Sequence, residues 1–267
     1  MTAQATTGKL VTCDVEHGVA VLTWNRPDRR NSWSVPMEEE YFALLRRCSD
    51  DPDVRAIVVT GAGETFCPGM DSVRLSEIAT GTADTRPQDR EPTTFPATVP
   101  KPVIAAINGA CAGIGLIQAL LCDVRFAGAG VKFTTAFARR GIMAEHGIAW
   151  LLPRIIGSGR AMDLLLSGRV FPAEEALELG VVNHVVPRDQ VLDAAVTYAR
   201  ELAENCSPIA MGTMKRQVYA AATSDLESAR DEALRLWVDV LKKHPDFAEG
   251  IASFLEKRPP RFAPWGG

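Results

Sequence analysis

The chain has 267 residues, of which 46% are apolar and 23% charged, and its formal net charge is -4. A protein of this composition can bury a sizeable core, and no stretch is basic enough to bind nucleic acid. No apolar run reaches the roughly 18 residues that a bilayer span needs, and the first residues do not resemble a secretory signal. The six cysteines include no C-x-x-C pair, which argues against a metal site and a disulfide framework. We therefore predict a cytoplasmic protein that contacts neither nucleic acid nor a membrane.

Hydrophobic periodicity predicts alternating strands and helices, followed by a mainly helical end. In chain order, the predicted elements are strands over 10–15 and 19–24, a helix capped by Ser34 that ends near Cys48, strands over 54–60 and 101–107, a helix over 116–121, a strand over 123–127, helices over 158–167 and 172–179, a strand over 181–186, and helices over 188–204, 208–222 and 225–242. Apolar strands that alternate with helices are typical of a parallel sheet with crossovers, so the predicted fold class is α/β. We expect a core over 1–187 and a helical region over 188–267.

Two local features leave alternatives open. The segment 79–100 is rich in Thr, Pro, Asp and Arg and has little periodicity, which is typical either of a loop over a site or of a surface insertion. The short basic cluster of Arg26, Arg29 and Arg30 suits a small phosphate-bearing ligand, and a solvated turn is the other interpretation.

Two of the predicted strands end in glycine-containing turns. The turn 65–71 (Thr-Phe-Cys-Pro-Gly-Met-Asp) follows strand 54–60, and the turn 108–115 (Asn-Gly-Ala-Cys-Ala-Gly-Ile-Gly) follows strand 101–107. Within the second turn, 113–115 (Gly-Ile-Gly) opens the predicted helix. Glycine permits positive φ and close approach of a ligand, and the first N–H groups of a helix point outward with the helix dipole behind them. Such turns suit a phosphate or a developing oxyanion, although either can be purely structural. Their spacing fits neither a dinucleotide fingerprint nor a P-loop.

Longer motifs follow one another along the chain. They are 25–31 (Asn-Arg-Pro-Asp-Arg-Arg-Asn), 66–71 (Phe-Cys-Pro-Gly-Met-Asp), 101–109 (Lys-Pro-Val-Ile-Ala-Ala-Ile-Asn-Gly), 167–176 (Ser-Gly-Arg-Val-Phe-Pro-Ala-Glu-Glu-Ala), 179–183 (Leu-Gly-Val-Val-Asn) and 254–259 (Phe-Leu-Glu-Lys-Arg-Pro). In this order they resemble the signatures of the enoyl-CoA hydratase/isomerase (crotonase) family, from about residue 10 to 260.

The resemblance implies a crotonase-type ββα spiral core with a C-terminal helical region, assembled as a homotrimer or hexamer. It places the backbone N–H groups of Met70 and Ile114 in an oxyanion hole for the carbonyl of an acyl-CoA thioester. Coenzyme A enters as part of the substrate, and no separate cofactor and no metal is implied. The residues that we expect to contact the substrate are Arg26, Arg29, Pro68, Gly69, Asp71, Gly113, Ile117, Phe137, Trp150, Phe254 and Lys257. Of these, Phe254 and Lys257 resemble tail residues that often reach the coenzyme from a neighbouring subunit.

The sequence departs from the hydratases of this family at two positions. Hydratases resemble one another in two glutamates that hold and activate water, and the matching positions here are Ile117 and Phe137. Neither side chain transfers a proton, so we predict that hydration by paired glutamates does not operate. In dienoyl-CoA isomerases and aryl-CoA dehalogenases of the family, a working aspartate stands at the position that matches Glu145.

Glu145 is therefore the predicted acid/base, with His146 beside it. A carboxylate lined by Ile117, Phe137 and Trp150 is expected to be desolvated, which favours its action as a base. In the alternative interpretation Glu145 caps the following helix, His146 lies on the surface and Trp150 belongs to the core. Asp71 can likewise cap its turn, and Asp123 can be structural.

The predicted function is that of an enzyme that stabilises the enolate of an acyl-CoA thioester. One carboxylate suffices to move a proton between two carbons, so double-bond isomerisation is the reaction that it supports most directly. Atypical hydration, hydrolysis and nucleophilic displacement stay open. The alternative functions are a non-catalytic acyl-CoA-binding protein and a structural trimer.

Overall fold

Strands and helices alternate through the computed structural model, which describes residues 8–83 and 90–266. The strands are β1 (Val11–Glu16), β2 (Val19–Trp24), β3 (Ala56–Gly61), β4 (Val103–Ile107), β5 (Cys111–Ala112), β6 (Val124–Gly128), β7 (Lys132–Thr134), β8 (Phe171–Pro172) and β9 (His184–Val186). The helices are α1 (Val35–Asp50), α2 (Ser72–Ala79), α3 (Ile114–Leu120), α4 (Ile148–Ile156), α5 (Ser158–Ser167), α6 (Ala173–Leu179), α7 (Val191–Asn205), α8 (Pro208–Ala221), α9 (Leu226–Asp239) and α10 (Pro245–Glu256). This order confirms the predicted α/β class.

The larger sheet has the strand order β1-β2-β3-β4-β6-β9. Strands β1 and β2 form an antiparallel hairpin, and each later neighbour pairs in parallel. Because the carboxyl ends of parallel strands meet at one edge of a sheet, the chain leaves β3 and β4 at neighbouring points. A smaller sheet of order β5-β7-β8 forms beyond this edge. The glycine-containing turns therefore lie at the edge where α/β proteins bind ligands.

The faces of the larger sheet bury two different sets of side chains. On one face, alternate strand residues pack with α1, α3 and α4 in a large apolar core. Trp24 from β2 lies at the centre of an aromatic cluster there, edge-on to Trp33 at 5.4 Å and to Tyr41 at 5.5 Å between ring centroids. Edge-to-face pairs of this kind add roughly 0.5–1.5 kcal/mol each to the burial energy. The cluster supports the first turn, since Trp33 forms a β-bridge with Met70.

The other face of the sheet is covered by α7. Ala195, Ala199 and Ala203 recur at four-residue spacing on this helix and are buried against strand residues such as Val58 and Ile104. Small side chains at this spacing lie on one side of a helix and let it approach a sheet closely. Helix α7, the first helix of the region expected over 188–267, thus packs with the sheet. The division into a core over 1–187 and a helical region over 188–267 stays a prediction.

Most predicted elements match the observed ones within a few residues, and the differences have local causes. The predicted cap at Ser34 is wrong in one respect, because its side chain makes no capping hydrogen bond to α1. Helices α2, α4 and α10 and the short strands β5, β7 and β8 were not predicted. In the segment 79–100, α2 ends at Ala79 and a 3-10 turn forms at Phe95–Thr98, while 84–89 lie outside the described residues.

No helix within 8–83 or 90–266 is both long enough and apolar enough to span a bilayer.

Candidate active site

The turns after β3 and β4 lie side by side. Cys67 in the first turn forms a parallel bridge with Cys111 of β5, closed by two backbone hydrogen bonds of 3.0 Å. Gly69 and Gly113 adjoin as a result, and a Cβ built on Gly113 would lie 3.9 Å from the Cα of Gly69. Their φ angles of 116° and 51° lie in the region that glycine adopts without strain. The two turns thus form one continuous rim.

The first turn presents the N–H group of Met70 away from the aromatic cluster. Trp33 donates its N–H to the carbonyl of Gly69 and accepts the N–H of Asp71, each at 2.8 Å. In a parallel bridge these bonds use the residues on either side of Met70, so the N–H of Met70 itself points to the opposite side. Within the described residues this N–H has no hydrogen-bond acceptor.

The second turn presents the N–H group of Ile114. Ile114 is the first residue of α3, and the first N–H groups of a helix have no acceptor within the helix. Gly113 occupies the capping position and has no side chain with which to cap. No residue in the described part of the chain accepts the N–H of Ile114. Two free main-chain donors therefore border the same cavity.

This cavity is formed by the two turns, by α2 and by the segment between β7 and α4. The residues that line it are Pro68, Gly69, Met70, Leu75, Gly113, Ile114, Thr135, Ala136, Phe137, Arg140, Ile142, Glu145 and His146. The lining is mainly apolar, with the carboxylate of Glu145, the imidazole of His146 and the guanidinium of Arg140 as its titratable groups. The arrangement combines donors for an anionic oxygen with groups that can carry a proton.

Glu145 and His146 share the cavity and lie close to each other. The Nε2 atom of His146 is 4.0 Å from Oε2 of Glu145, and its Nδ1 atom is 3.1 Å from the hydroxyl of Thr93. Neither side chain caps α4, because Gly147 occupies that position without a side-chain hydrogen bond. The capping interpretation of Glu145 is therefore wrong. His146 has a φ of 52°, a conformation that few non-glycine residues adopt.

The surroundings of the Glu145 carboxylate differ from the prediction. Phe137 lines the cavity with Glu145, but Ile117 is fully buried in the apolar core and does not reach the cavity. The side chain of Glu145 is 40% exposed. The expectation that Glu145 is desolvated is thus wrong for the chain by itself.

Trp150 lies in a second cavity, between α4 and α8. Its ring stacks on Tyr219 at 6.4 Å between centroids, and the guanidinium of Arg154 lies 4.1 Å from its ring centroid. Both partners line this second cavity with Trp150. The structure therefore does not bring Trp150 together with the other predicted substrate contacts.

Arg26 and Asp71 form an ion pair behind the first turn. Nη2 of Arg26 lies 3.0 Å from Oδ2 of Asp71, and Nη1 donates to the carbonyl of Ser32 at 2.7 Å. Asp71 also caps α2 by accepting the N–H of Val73 at 3.0 Å. Burial by itself raises the pKa of Asp71, but the N–H of Val73 and the Arg26 guanidinium outweigh it, and the pKa is lowered. The guanidinium of Arg26 is thus occupied by contacts beside the first turn, whereas the side chain of Arg29 is exposed to solvent.

The structure brings some of the predicted site residues together and leaves others, including Arg26, Ile117 and Trp150, outside the cavity. Pro68, Gly69, Met70, Gly113, Ile114, Phe137, Glu145 and His146 meet in the cavity. Phe254 and Lys257 lie exposed at the end of α10, and their contact with the coenzyme from a neighbouring subunit stays a prediction. Asp123 is structural: it accepts the N–H of Val103 and the Nζ of Lys215, each at 2.8 Å.

Sequence reasoning missed several residues of the site. Thr135 and Ala136 line the cavity without having been predicted there, whereas Leu75, Arg140 and Ile142 fall within 72–100 and 137–150, the ranges that we expect to line the acyl pocket. In the sequence, Phe137 and Glu145 are flanked by Thr135, Ala136, Arg140 and Ile142. The positions of Phe137 and Glu145 therefore indicated that these neighbours could line the cavity. Thr93 had no such signal, because it reaches His146 from 53 residues away.

A sheet with two glycine turns at its carboxyl edge and a cavity bordered by two free amides is an arrangement suited to enzymes that stabilise a developing oxyanion. The chain belongs to the enoyl-CoA hydratase/isomerase family, which it matches over residues 14–264.

Named relatives and a solved structure resemble the chain over nearly its whole length. It is 36% identical to 1,2-epoxyphenylacetyl-CoA isomerase from Escherichia coli (strain K12), over 93% of this chain and 96% of that protein. It is 35% identical to (E)-benzylidenesuccinyl-CoA hydratase from Thauera aromatica, over 94% of this chain and 98% of that one. The crystal structure of a probable enoyl-CoA hydratase/isomerase from Mycobacterium abscessus superposes with a TM-score of 0.87 at 33% identity, covering 95% and 98% of the two chains. The predicted crotonase-family membership and fold are confirmed.

Proposed function

We propose that this protein is an enoyl-CoA hydratase/isomerase-family enzyme that stabilises a thioester enolate and uses Glu145 as its acid/base. The observation that carries the proposal is the meeting of two free amides and one carboxylate in a single apolar cavity. The relatives named for isomerisation and hydration of CoA thioesters support an acyl-CoA as the substrate.

In the proposed reaction, a 3-enoyl thioester binds with its carbonyl oxygen between the N–H groups of Met70 and Ile114. Glu145 removes a proton from the α carbon, and the electron pair of that bond moves into the conjugated system, so that charge collects on the thioester oxygen. The protonated Glu145 then returns the proton to the γ carbon, and the double bond comes to lie between the α and β carbons. No atom is gained or lost.

The two amides supply the electrostatic part of this catalysis. Fixed donors in a site with little water cost no reorganisation when the charge develops, and one donor of this kind contributes about 3 kcal/mol. Main-chain donors do not depend on the side chain, so Met70 and Ile114 can serve in place of smaller residues.

Isomerisation suits this site better than paired-carboxylate hydration. The cavity lining contains Glu145 as its single carboxylate within the described residues, while apolar Phe137 occupies the position that matches the second hydratase glutamate. A single carboxylate can take and return one proton, whereas activation of water and protonation of carbon normally require two groups. His146 is the neighbouring group that an atypical hydration would have to use.

The test is Glu145→Gln, which keeps the shape of the side chain and removes its basic oxygen. We expect turnover of 3-enoyl and 2-enoyl thioesters to fall by about 10²–10⁴-fold. Binding of acyl-CoA by calorimetry should stay within about threefold, because the amides and the apolar walls are unchanged. Glu178→Gln, on the exposed side of α6, is the matched control and should behave as the wild type.

Two results would contradict the proposal in different ways. Unchanged turnover by Glu145→Gln would remove Glu145 from the mechanism. A wild-type protein that binds several acyl-CoA thioesters and converts none of them would instead be a non-catalytic acyl-CoA-binding protein.

A further inference from the structure

The segment before the 3-10 turn Phe95–Thr98 contacts His146, which faces the proposed acid/base Glu145. The hydroxyl of Thr93 lies 3.1 Å from Nδ1 of His146. The next residue also packs there, since a Cβ built on Gly147 would lie 3.7 Å from Cγ2 of Thr94. This segment therefore contacts His146 and lies beside Gly147.

The main chain of Thr93 is hydrogen-bonded to a side chain of α3. Gln118 is 1% exposed, and its Nε2 donates a 2.9 Å hydrogen bond to the carbonyl of Thr93. The Oε1 atom of the same side chain is buried and has no hydrogen-bond partner among the described residues. An unsatisfied buried acceptor costs about 1–3 kcal/mol. A buried glutamine with this cost calls for a reason other than stability.

The geometry of His146 gives each ring nitrogen a different neighbour. Nε2 faces Oε2 of Glu145 at 4.0 Å, and Nδ1 faces the Thr93 hydroxyl. An ionised carboxylate only accepts hydrogen bonds, so the tautomer with its proton on Nε2 suits this arrangement. Nδ1 is then the acceptor, and the Thr93 hydroxyl donates to it. The strained φ of His146 aims the ring into the cavity from a backbone position that is otherwise unfavourable.

We propose that Thr93 and Gln118 are positioning residues, which hold His146 as the Nε2–H tautomer facing Glu145. Gln118 fixes the main chain of Thr93, and the Thr93 hydroxyl fixes the ring. The proposal rests on the proposed acid/base function of Glu145, whose carboxylate His146 faces. The charged groups that share the cavity with His146 are Glu145 and Arg140.

The experiment compares Thr93→Val, which has nearly the same shape but no hydroxyl, with Thr93→Ser, which keeps the hydroxyl. Thr94→Val is the matched control at the adjacent position, and Gln118→Met removes the buried donor and the unsatisfied acceptor together. Each variant is measured by ¹⁵N–¹H correlation of ¹⁵N-labelled imidazoles and by the pH dependence of kcat and KM. His146→Gln assigns the His146 signal.

In the wild type and in Thr93→Ser, we expect a single Nε2–H tautomer for His146. In Thr93→Val, the two tautomers should mix, kcat should fall by about tenfold or more with little change in KM, and the acid limb of the pH profile should move. Gln118→Met should change both readouts in the same direction by a smaller amount. Thr94→Val should match the wild type.

The proposal is overturned if Thr93→Val keeps the wild-type tautomer and pH profile, or if Thr93→Ser fails to restore them. The imidazole spectrum requires no turnover. A wild-type protein without activity but with the Nε2–H tautomer, lost in Thr93→Val, would therefore refute the proposed function and leave the positioning role standing.

Discussion

Ile114 begins α3 with an N–H group that has no acceptor in the described chain. Its side chain is 4% exposed and packs in the core, so side chain and main chain serve different purposes at this residue. Proline removes the N–H and is favoured at the first position of a helix, but it also shortens the buried side chain. Ile114→Val shortens the side chain and keeps the N–H, so the comparison of the two variants separates main chain from side chain.

We expect Ile114→Pro to lower kcat for enoyl thioesters by about 10²–10³-fold, the effect of losing one oxyanion donor. Ile114→Val keeps the N–H and a β-branched side chain, and its kcat should stay within about twofold of the wild type. Thermal unfolding followed by circular dichroism establishes that both variants are folded. Equal kcat in the two variants would show that this amide does not contact the developing charge.

The strand ends and glycine turns were visible in the local sequence pattern, whereas the roles expected of Met70, Ile114 and Glu145 came from the family resemblance. Gln118 and Thr93 meet across 25 residues, and nothing in either local pattern indicates the contact. Trp150 lines the second cavity and packs against the core, as its alternative interpretation predicted, and its direction could not be inferred because α4 itself was not predicted.

At the level of elements, the first turn is held by the pair that Arg26 and Asp71 form between the end of β2 and the start of α2. The side chains are 15% and 9% exposed. Removal of one partner leaves the other charge buried, which typically costs about 3–5 kcal/mol. The pair therefore determines how firmly the Met70 N–H is held.

Asp71→Asn removes the charge and keeps an oxygen that can cap α2. At pH 7 we expect the free energy of unfolding in urea to fall by about 3 kcal/mol. Asp163→Asn, which breaks the more exposed pair with Arg169, is the control and should cost under about 1 kcal/mol.

The difference in the free energy of unfolding between the wild type and Asp71→Asn should depend on pH. The pKa of Asp71 is lowered in the folded protein. The ionised Asp71 therefore gives its full stabilisation when the pH is above its unfolded-state pKa of about 3.9. This stabilisation is lost as the pH falls through the folded-state pKa. The gap between wild type and Asp71→Asn should be smaller at pH 3 than at pH 7. A gap that grows on acidification would exclude the ion pair as its source.

Elements were predictable where hydrophobic periodicity extends over a full strand or several helical turns. The six strands of the larger sheet and helices such as α1 and α7 satisfy this condition. Strands β5 and β8 have two residues each, too few for a period to show. Helix α4 lies between Gly147 and Gly157 and contains Pro153, so its sequence resembles a series of turns.

At the scale of the whole molecule, the C-terminal helices carry a large exposed apolar surface. Phe254 and Leu255 at the end of α10 are 81% and 72% exposed, and the exposed side chains on α9 include Leu226, Leu234, Trp237 and Val238. Apolar patches of this extent are typical of protein–protein contacts. The surface supports the trimer or hexamer implied by the family resemblance, which stays a prediction.

We expect sedimentation velocity to give the wild type at least three times the monomer mass, and Phe254→Asp to shift it towards the monomer. A charge placed in an apolar interface remains unpaired and desolvated, which strongly disfavours association. Val15→Asp, an exposed position on β1, should leave the mass unchanged. A monomeric wild type would contradict the prediction.

The close approach of the two turns limits which residues the fold can accommodate there. A Cβ on Gly115 would lie 2.3 Å from the carbonyl oxygen of Cys67, and one on Gly109 would lie 1.9 Å from that of Glu64. Any larger residue at these places would force the rim apart. Variants with a new substrate preference, whether natural or selected in the laboratory, should therefore carry substitutions at Leu75, Phe137 and Ile142. The two glycines should be unchanged in every active variant.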